Sequence, residues 1–264
     1  MKAFSFLTAL LLIFPSLAAS QQASAPAPSS TQAATLLTQS AAALTGGVAL
    51  TDVTLSGTAR RIAGSDDESG TAVLKATATG SSKLALSFAS GNRNEVRANS
   101  NNSPTGSWSG PDGAAHPISY HNLMTDSGLF PAFALSNLLA SQNTVAIYVG
   151  QETRNGSTVI HLSAYQQLPG ITGDNAVLPQ HLSQVEIFLD PTTLLPASIT
   201  FNIHPDDNAL LDIPVQVDFS DYRPVNGAQI PLHVQKFLNN SLLLDFQFQN
   251  VSTNSGLSAS SFSL

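Results

Sequence analysis

Six histidines, at positions 116, 121, 161, 181, 204 and 233, are the side chains best suited to hold a metal ion or relay a proton. Their spacing argues against a shared ion. The closest pair, His116 and His121, is five residues apart, which on a helix turns the two rings about 140° from each other. No His-Glu-x-x-His or calcium-loop pattern occurs. Asp66-Asp67-Glu68, and Asp206-Asp207 behind His204-Pro205, fall where solvated hairpin tips are expected. The sequence thus assigns no metal ligand and no cofactor.

A nucleophile is missing as well. In Gly106-Ser107-Trp108-Ser109-Gly110 a Trp occupies the centre, where a nucleophile elbow needs Ser, and the Asn/Gly/Pro surroundings deny it a strand-to-helix turn. The chain has no cysteine, which removes thiol catalysis, disulfides and a lipid-modified N-terminal cysteine. No catalytic residue is assigned, and an exported hydrolase is the least favoured reading. Trp108 reads as a loop anchor over a sheet edge. Arg60-Arg61 is the one adjacent basic pair, with one residue facing water and the other the rim of a cavity. Only 10% of residues are charged and the net charge is −7, so nucleic acid is not a partner.

The elements that carry these residues begin with a leader. Lys2, the apolar Phe4 to Phe14 and the small exit Ala18-Ala19-Ser20 read as a signal peptide over 1–20. Its apolar run is shorter than the roughly 20 residues of a bilayer-spanning helix, so no transmembrane anchor is expected in the mature form. Residues 21–31 are confined to Ala, Pro, Ser, Gln and Thr and read as a disordered linker. Residues 32–264 then read as one domain. Leu37, Ala41 and Leu44, stopped by Gly46-Gly47, predict a short amphipathic helix.

After it, period-two alternation predicts strands at about 49–62, 70–79, 83–89 and 92–98. A polar interruption fills 99–117. Two short helices follow, one on Tyr120, Leu123 and Met124, the other on Leu135, Leu138 and Leu139 behind Pro131. Seven more strands are expected at about 144–151, 157–166, 184–190, 196–203, 212–221, 228–237 and 241–251. Asp190-Pro191-Thr192-Thr193 and Asn226-Gly227 supply tight turns between them.

One face of these strands is apolar throughout. Leu84, Leu86 and Phe88 share it early in the chain. Ile187, Leu189, Ile199 and Phe201 continue it, then Val215, Val217 and Phe219, then Leu244, Phe246 and Phe248. Phe130, Phe133, Leu135 and Leu138 come from the helical insertion. A sheet of about eleven strands must curl, split or flatten, and curling around three amphipathic helices buries most. The predicted fold is mainly β: a strongly curved antiparallel sheet, an open half-barrel, with helices on its concave side. The apolar residues just named are its candidate ligand-binding surface, or else a solid core, since periodicity alone does not separate the two.

The order helix, four strands, helical insertion and then a run of hairpins resembles the LolA/LolB-type lipoprotein-carrier half-barrel superfamily. Val185-Glu186-Ile187-Phe188-Leu189-Asp190-Pro191 with Leu195-Pro196 resembles that family's Asp-centred hairpin. Phe219-Ser220-Asp221-Tyr222-Arg223-Pro224-Val225-Asn226-Gly227, with Pro231, resembles its Tyr-Arg, Gly, Pro segment. Asn254 and Phe262 fall where the family closes its last strand. The resemblance implies an extracytoplasmic binder or carrier, periplasmic or secreted, of a lipid, an acyl chain or a lipidated protein. A non-catalytic envelope scaffold with another envelope protein as partner is the main alternative.

Overall fold

A computed structural model describes residues 30–100 and 103–264. The leader and nearly all of the linker expected at 21–31 lie outside the described residues. A single sheet of thirteen antiparallel strands dominates, two more than the alternation predicts. The N-terminal half supplies β1 (Asp52–Ala63), β2 (Asp66–Thr77), β3 (Ser82–Phe88), β4 (Gly91–Ser100), β5 (Ser103–Ser109) and β6 (Ala115–Pro117). The C-terminal half supplies β7 (Thr144–Arg154), β8 (Ser157–Gln166), β9 (Val185–Leu189), β10 (Pro196–Ile203), β11 (Ile213–Val225), β12 (Ala228–Leu238) and β13 (Ser241–Thr253). Each half is a stack of sequential neighbours, and β1 joins the two by pairing with β13. β6 and β7 end the sheet without pairing to each other. It is an open half-barrel, as the alternation predicts.

The two extra strands lie in the 99–117 segment expected as an interruption. Its small polar residues hide the alternation, and Pro104 is tolerated because β6 pairs only along 107–109, leaving that flank of β5 free. The helix expected around Tyr120, Leu123 and Met124 is instead a single 3-10 turn, Tyr120–Leu123, with no buried residue. Tyr120 stands 67% exposed. Three α-helices are present among the described residues: α1 (Thr31–Thr45), α2 (Pro131–Ala140) and α3 (Asp174–Leu182). α3 is absent from the sequence reading, since Pro179 sits inside it and it has no apolar stripe.

α1 buries Ala33, Leu37, Ser40 and Leu44 against the sheet's apolar side. Ser30 caps it by accepting from the Ala33 amide at 3.0 Å. The same hydroxyl accepts from the Tyr148 amide at 3.2 Å, while the Ser30 amide donates to the Ala146 carbonyl at 2.8 Å, so the start of α1 covers part of the β7 edge. Gly46 closes the helix at φ +59°. A Cβ on it would lie 2.0 Å from the Gly227 carbonyl oxygen, so the helix end is seated on the Asn226-Gly227 hairpin turn.

The turns read from sequence form as expected. Asp190 Oδ1 accepts from the amides of Thr192 and Thr193 at 3.0 and 2.7 Å. Asp221, at φ +50°, and Leu232 opposite it drop out of the β11–β12 pairing, which resumes in unchanged register and runs on to Val225. The Tyr222 hydroxyl donates to the Pro196 carbonyl at 2.8 Å, tying β11 to the start of β10. At the other end of the chain, Asn254 Oδ1 accepts from the Thr51 amide at 2.7 Å, and buried Asp52 accepts from the Ser255 amide at 2.8 Å. Phe262 is buried beyond them.

Candidate functional site

All seventeen apolar residues nominated by the alternation and the insertion belong to one buried cluster or pack against it, Leu138 alone being only partly covered. Most of them form packed core. Four, Leu138, Ile187, Ile199 and Phe201, also line a cavity of about 120 Å³ between the helical insertion and strands β8 to β10. The remaining walls are Met124, Thr125, Asp126 and Gly128 before α2, Ala134 and Asn137 on α2, and Gln166, Ser183 and Val185 around the end of α3. A much smaller void, about 10 Å³, lies across Asp126 on the other side, against Leu74, Phe130 and Phe133.

The segment 118–127 bounds this cavity as a strap. It leaves the short edge strand β6 and reaches the loop between β10 and β11 on the far half of the sheet. Asn122 holds it there from both ends of its amide: Nδ2 donates to the His204 carbonyl, and Oδ1 accepts from the His204 amide, each at 2.8 Å. Ser119 donates to Asp206 in the same loop. On the near side, Arg97 of β4 donates to the carbonyls of Asn122 and Thr125, both at 3.0 Å. The strap is thus held by polar contacts at both ends.

Charges lie on the concave side as well as apolar residues. Glu95 pairs in register with Leu84 and Trp108, and Lys236 pairs with Val217 and Leu244, so both occupy the face that bears the apolar cluster. Burial opposes ionisation of Glu95, yet the charges of Arg97 and Lys236 hold its pKa at about 2. The side chain lies deep among its neighbours with 28% of its area open, which marks a cleft that water reaches. Burial pulls Lys236 below the usual lysine range, partly offset by Glu95. Its amine has no hydrogen-bonded partner among the described residues. Asp126, between the two voids, is pushed up by burial and accepts from the Gly128 amide at 2.8 Å.

Histidines widely separated in sequence meet at the strap's far end. Asp212 Oδ1 lies 2.8 Å from His181 Nε2 and 3.1 Å from His204 Nε2, and the three ligand atoms fall within 4.8 Å of one another. The His121 ring stands edge-on to His204, 5.9 Å between centroids. Sequence spacing missed this group because His181 ends α3, His204 and Asp212 flank one loop, and His121 rides on the strap. None of these placements follows from a local pattern.

On the convex face, Ser220, His233 and Asp245 line up across β11, β12 and β13. Ser220 Oγ lies 2.9 Å from His233 Nδ1, and His233 Nε2 lies 3.0 Å from Asp245 Oδ1. Gln235 also donates to Asp245, at 2.9 Å. The cavities above include none of these residues, and the row is a cross-strand ladder of polar side chains. Trp108, expected to anchor a loop, lies on β5 instead, stacked on His116 of β6 at 4.3 Å and 45% exposed. Arg60 pairs outward with Asp67 at 2.6 Å, whereas Arg61, 19% exposed, reaches Glu68 at 3.2 Å.

No protein-family model matches the sequence, and no curated protein matches it. Its fold does resemble solved structures. A putative outer membrane lipoprotein-sorting protein domain from Vibrio parahaemolyticus is 13% identical over 86% of this chain and 95% of that one, with a TM-score of 0.52. A DUF1329 family protein from Desulfovibrio piger is 12% identical over 88% and 97%, with a TM-score of 0.56. A LolA superfamily protein from Nitrosomonas europaea is 10% identical over 88% and 97%, with a TM-score of 0.55. At such identities the likeness establishes architecture, and this chain is a fold relative of the LolA/LolB-type half-barrels.

Proposed function

We propose that the protein is an extracytoplasmic binder or carrier of an apolar group, a lipid or acyl chain, held between the helical insertion and the concave face of the sheet. The cavity of about 120 Å³ beside Ile187, Ile199 and Phe201 carries this reading. The leader read at 1–20 supports export, and no helix among the described residues is long and apolar enough to cross a membrane. The lipoprotein-sorting domain among the structural neighbours points to the same ligand chemistry.

Magnitudes limit what the closed form can hold. An apolar cavity of about 150 Å³ takes one benzene, so the present space suits a short segment. Four to six methylenes would contribute about 3–5 kcal/mol at ~0.8 each, which corresponds to millimolar binding. A whole chain needs α2 and the strap to move off the sheet. The strap is fastened by polar contacts to Arg97, His204 and Asp206, whereas moving α2 would also uncover Phe133 and Leu135 of the buried cluster.

Native mass spectrometry of protein purified from its own cells, with and without Ala134→Phe, tests the reading. The expected result is a co-purifying lipid or fatty acid that Ala134→Phe, which puts a ring into the cavity, removes while circular dichroism is unchanged. A natural protein that emerges empty would favour the scaffold alternative, which the densely packed remainder of the cluster also suits.

A further inference from the structure

We propose that His181, His204 and Asp212 form a binding site for a divalent cation of the zinc class, fastening α3 to the β10–β11 loop beside the cavity. Two imidazole nitrogens and a carboxylate oxygen are the donor set such a borderline cation takes, in contrast to the all-oxygen sets of calcium and magnesium. The ligand atoms are already gathered. Asp212 Oδ1 stands 2.8 and 3.1 Å from the two Nε2 atoms, against the roughly 3.3–3.4 Å between neighbouring ligands of a tetrahedral ion with bonds near 2.0–2.1 Å. Those two distances need a shift of a few tenths of an ångström, and the two histidine nitrogens, within 4.8 Å of each other, would close by up to about 1.5 Å.

The surroundings are also those of a site with an entry path. The His204 side chain is fully covered, while His181 and Asp212 are 35% and 43% exposed. One ligand is thus fixed in the protein wall and two face water. Two further imidazole atoms at this junction, His204 Nδ1 and His121 Nε2, are shut off from solvent with no hydrogen-bond partner. Such orphaned groups cost stability in a purely structural role, so this junction carries more imidazole than fold maintenance requires. With three protein ligands, a fourth coordination position stays free for water or an incoming donor.

The cation would act on the cavity walls. Ser183 and Val185 of the cavity wall lie two and four residues after His181, and the strap is bonded to the backbone of His204 through Asn122. Linking His181 to His204 would therefore fix α3 to the loop on which the strap is fastened, at one end of the cavity wall. The metal site itself stands without the lipid reading, because its test involves no apolar ligand.

Isothermal titration of ZnCl2 into the tag-free, metal-stripped mature chain at pH 7.5 provides that test. The expectation is one saturable site of micromolar affinity or better, weakened at least tenfold by His181→Ala and by Asp212→Asn and unchanged by His161→Ala. Both informative substitutions are at partly exposed positions, and circular dichroism confirms that each variant is folded. Absence of saturable binding, or equal binding by His181→Ala and Asp212→Asn, would overturn the proposal.

Discussion

Glu95 illustrates how single residues here depart from their neighbours. Its pKa of about 2 lies below the 4.5 of an unperturbed glutamate. The resulting stabilisation is therefore fully present above pH 4.5 and is lost as pH falls from there toward 2. With 28% of the side chain open to water, screening reduces the effect to about 2 kcal/mol. Glu95→Gln should lower the unfolding free energy at pH 7, measured by denaturant titration, by that amount, with wild type and variant converging near pH 2. The deficit should be equal at both pH values if the carboxylate's charge is irrelevant. Sequence alone did not reveal this role, because Glu95 and Lys236 lie 141 positions apart, on strands separated by four others in the sheet. The same holds for His181, His204 and Asp212. The thirteen apolar residues on strands were legible because a two-residue period is local, and Leu135 and Leu138 because helical spacing is local too.

Among elements, those with strong local chemistry could be read and those without could not. Asp190-Pro191 and Asn226-Gly227 made their turns, and Pro131 opened α2. β5 and β6 escaped notice because their Ser, Gly and Pro residues have little strand propensity of their own; β5 is held by pairing with β4, and β6 by pairing with β5. α3 escaped because an interior proline ordinarily costs a helix about 3 kcal/mol. Gly46 tests how tightly one element is seated on another. Gly46→Ala must place a side chain at positive φ and push its Cβ off the Gly227 carbonyl. We expect a loss of more than about 2 kcal/mol, measured by urea denaturation, against about 1 kcal/mol for Gly47→Ala, which is strained by its positive φ but whose Cβ meets nothing within 4 Å. Similar losses at both positions would mean that φ alone matters and the contact does not.

For the whole molecule, the curved open sheet and its concave helices follow from the strand number and one continuous apolar face. How much space the helices leave inside does not, since it depends on side-chain fit to within an ångström. The join between β1 and β13 has a further consequence. Val53 faces Thr253 there and Arg61 faces Leu244, so the central seam waits for the last of these thirteen strands to be synthesised. Until it arrives, β1 and β12 both present a bare flank, inviting pairing with another chain. Biogenesis should therefore be slow and vulnerable, with the two hairpin stacks formed early and their union late. A chain ending at residue 240 should keep much of its β circular dichroism, lose its single cooperative melt and aggregate at concentrations where the 264-residue chain stays in solution. A sharp, wild-type-like transition in that truncation would show that the halves meet by another route.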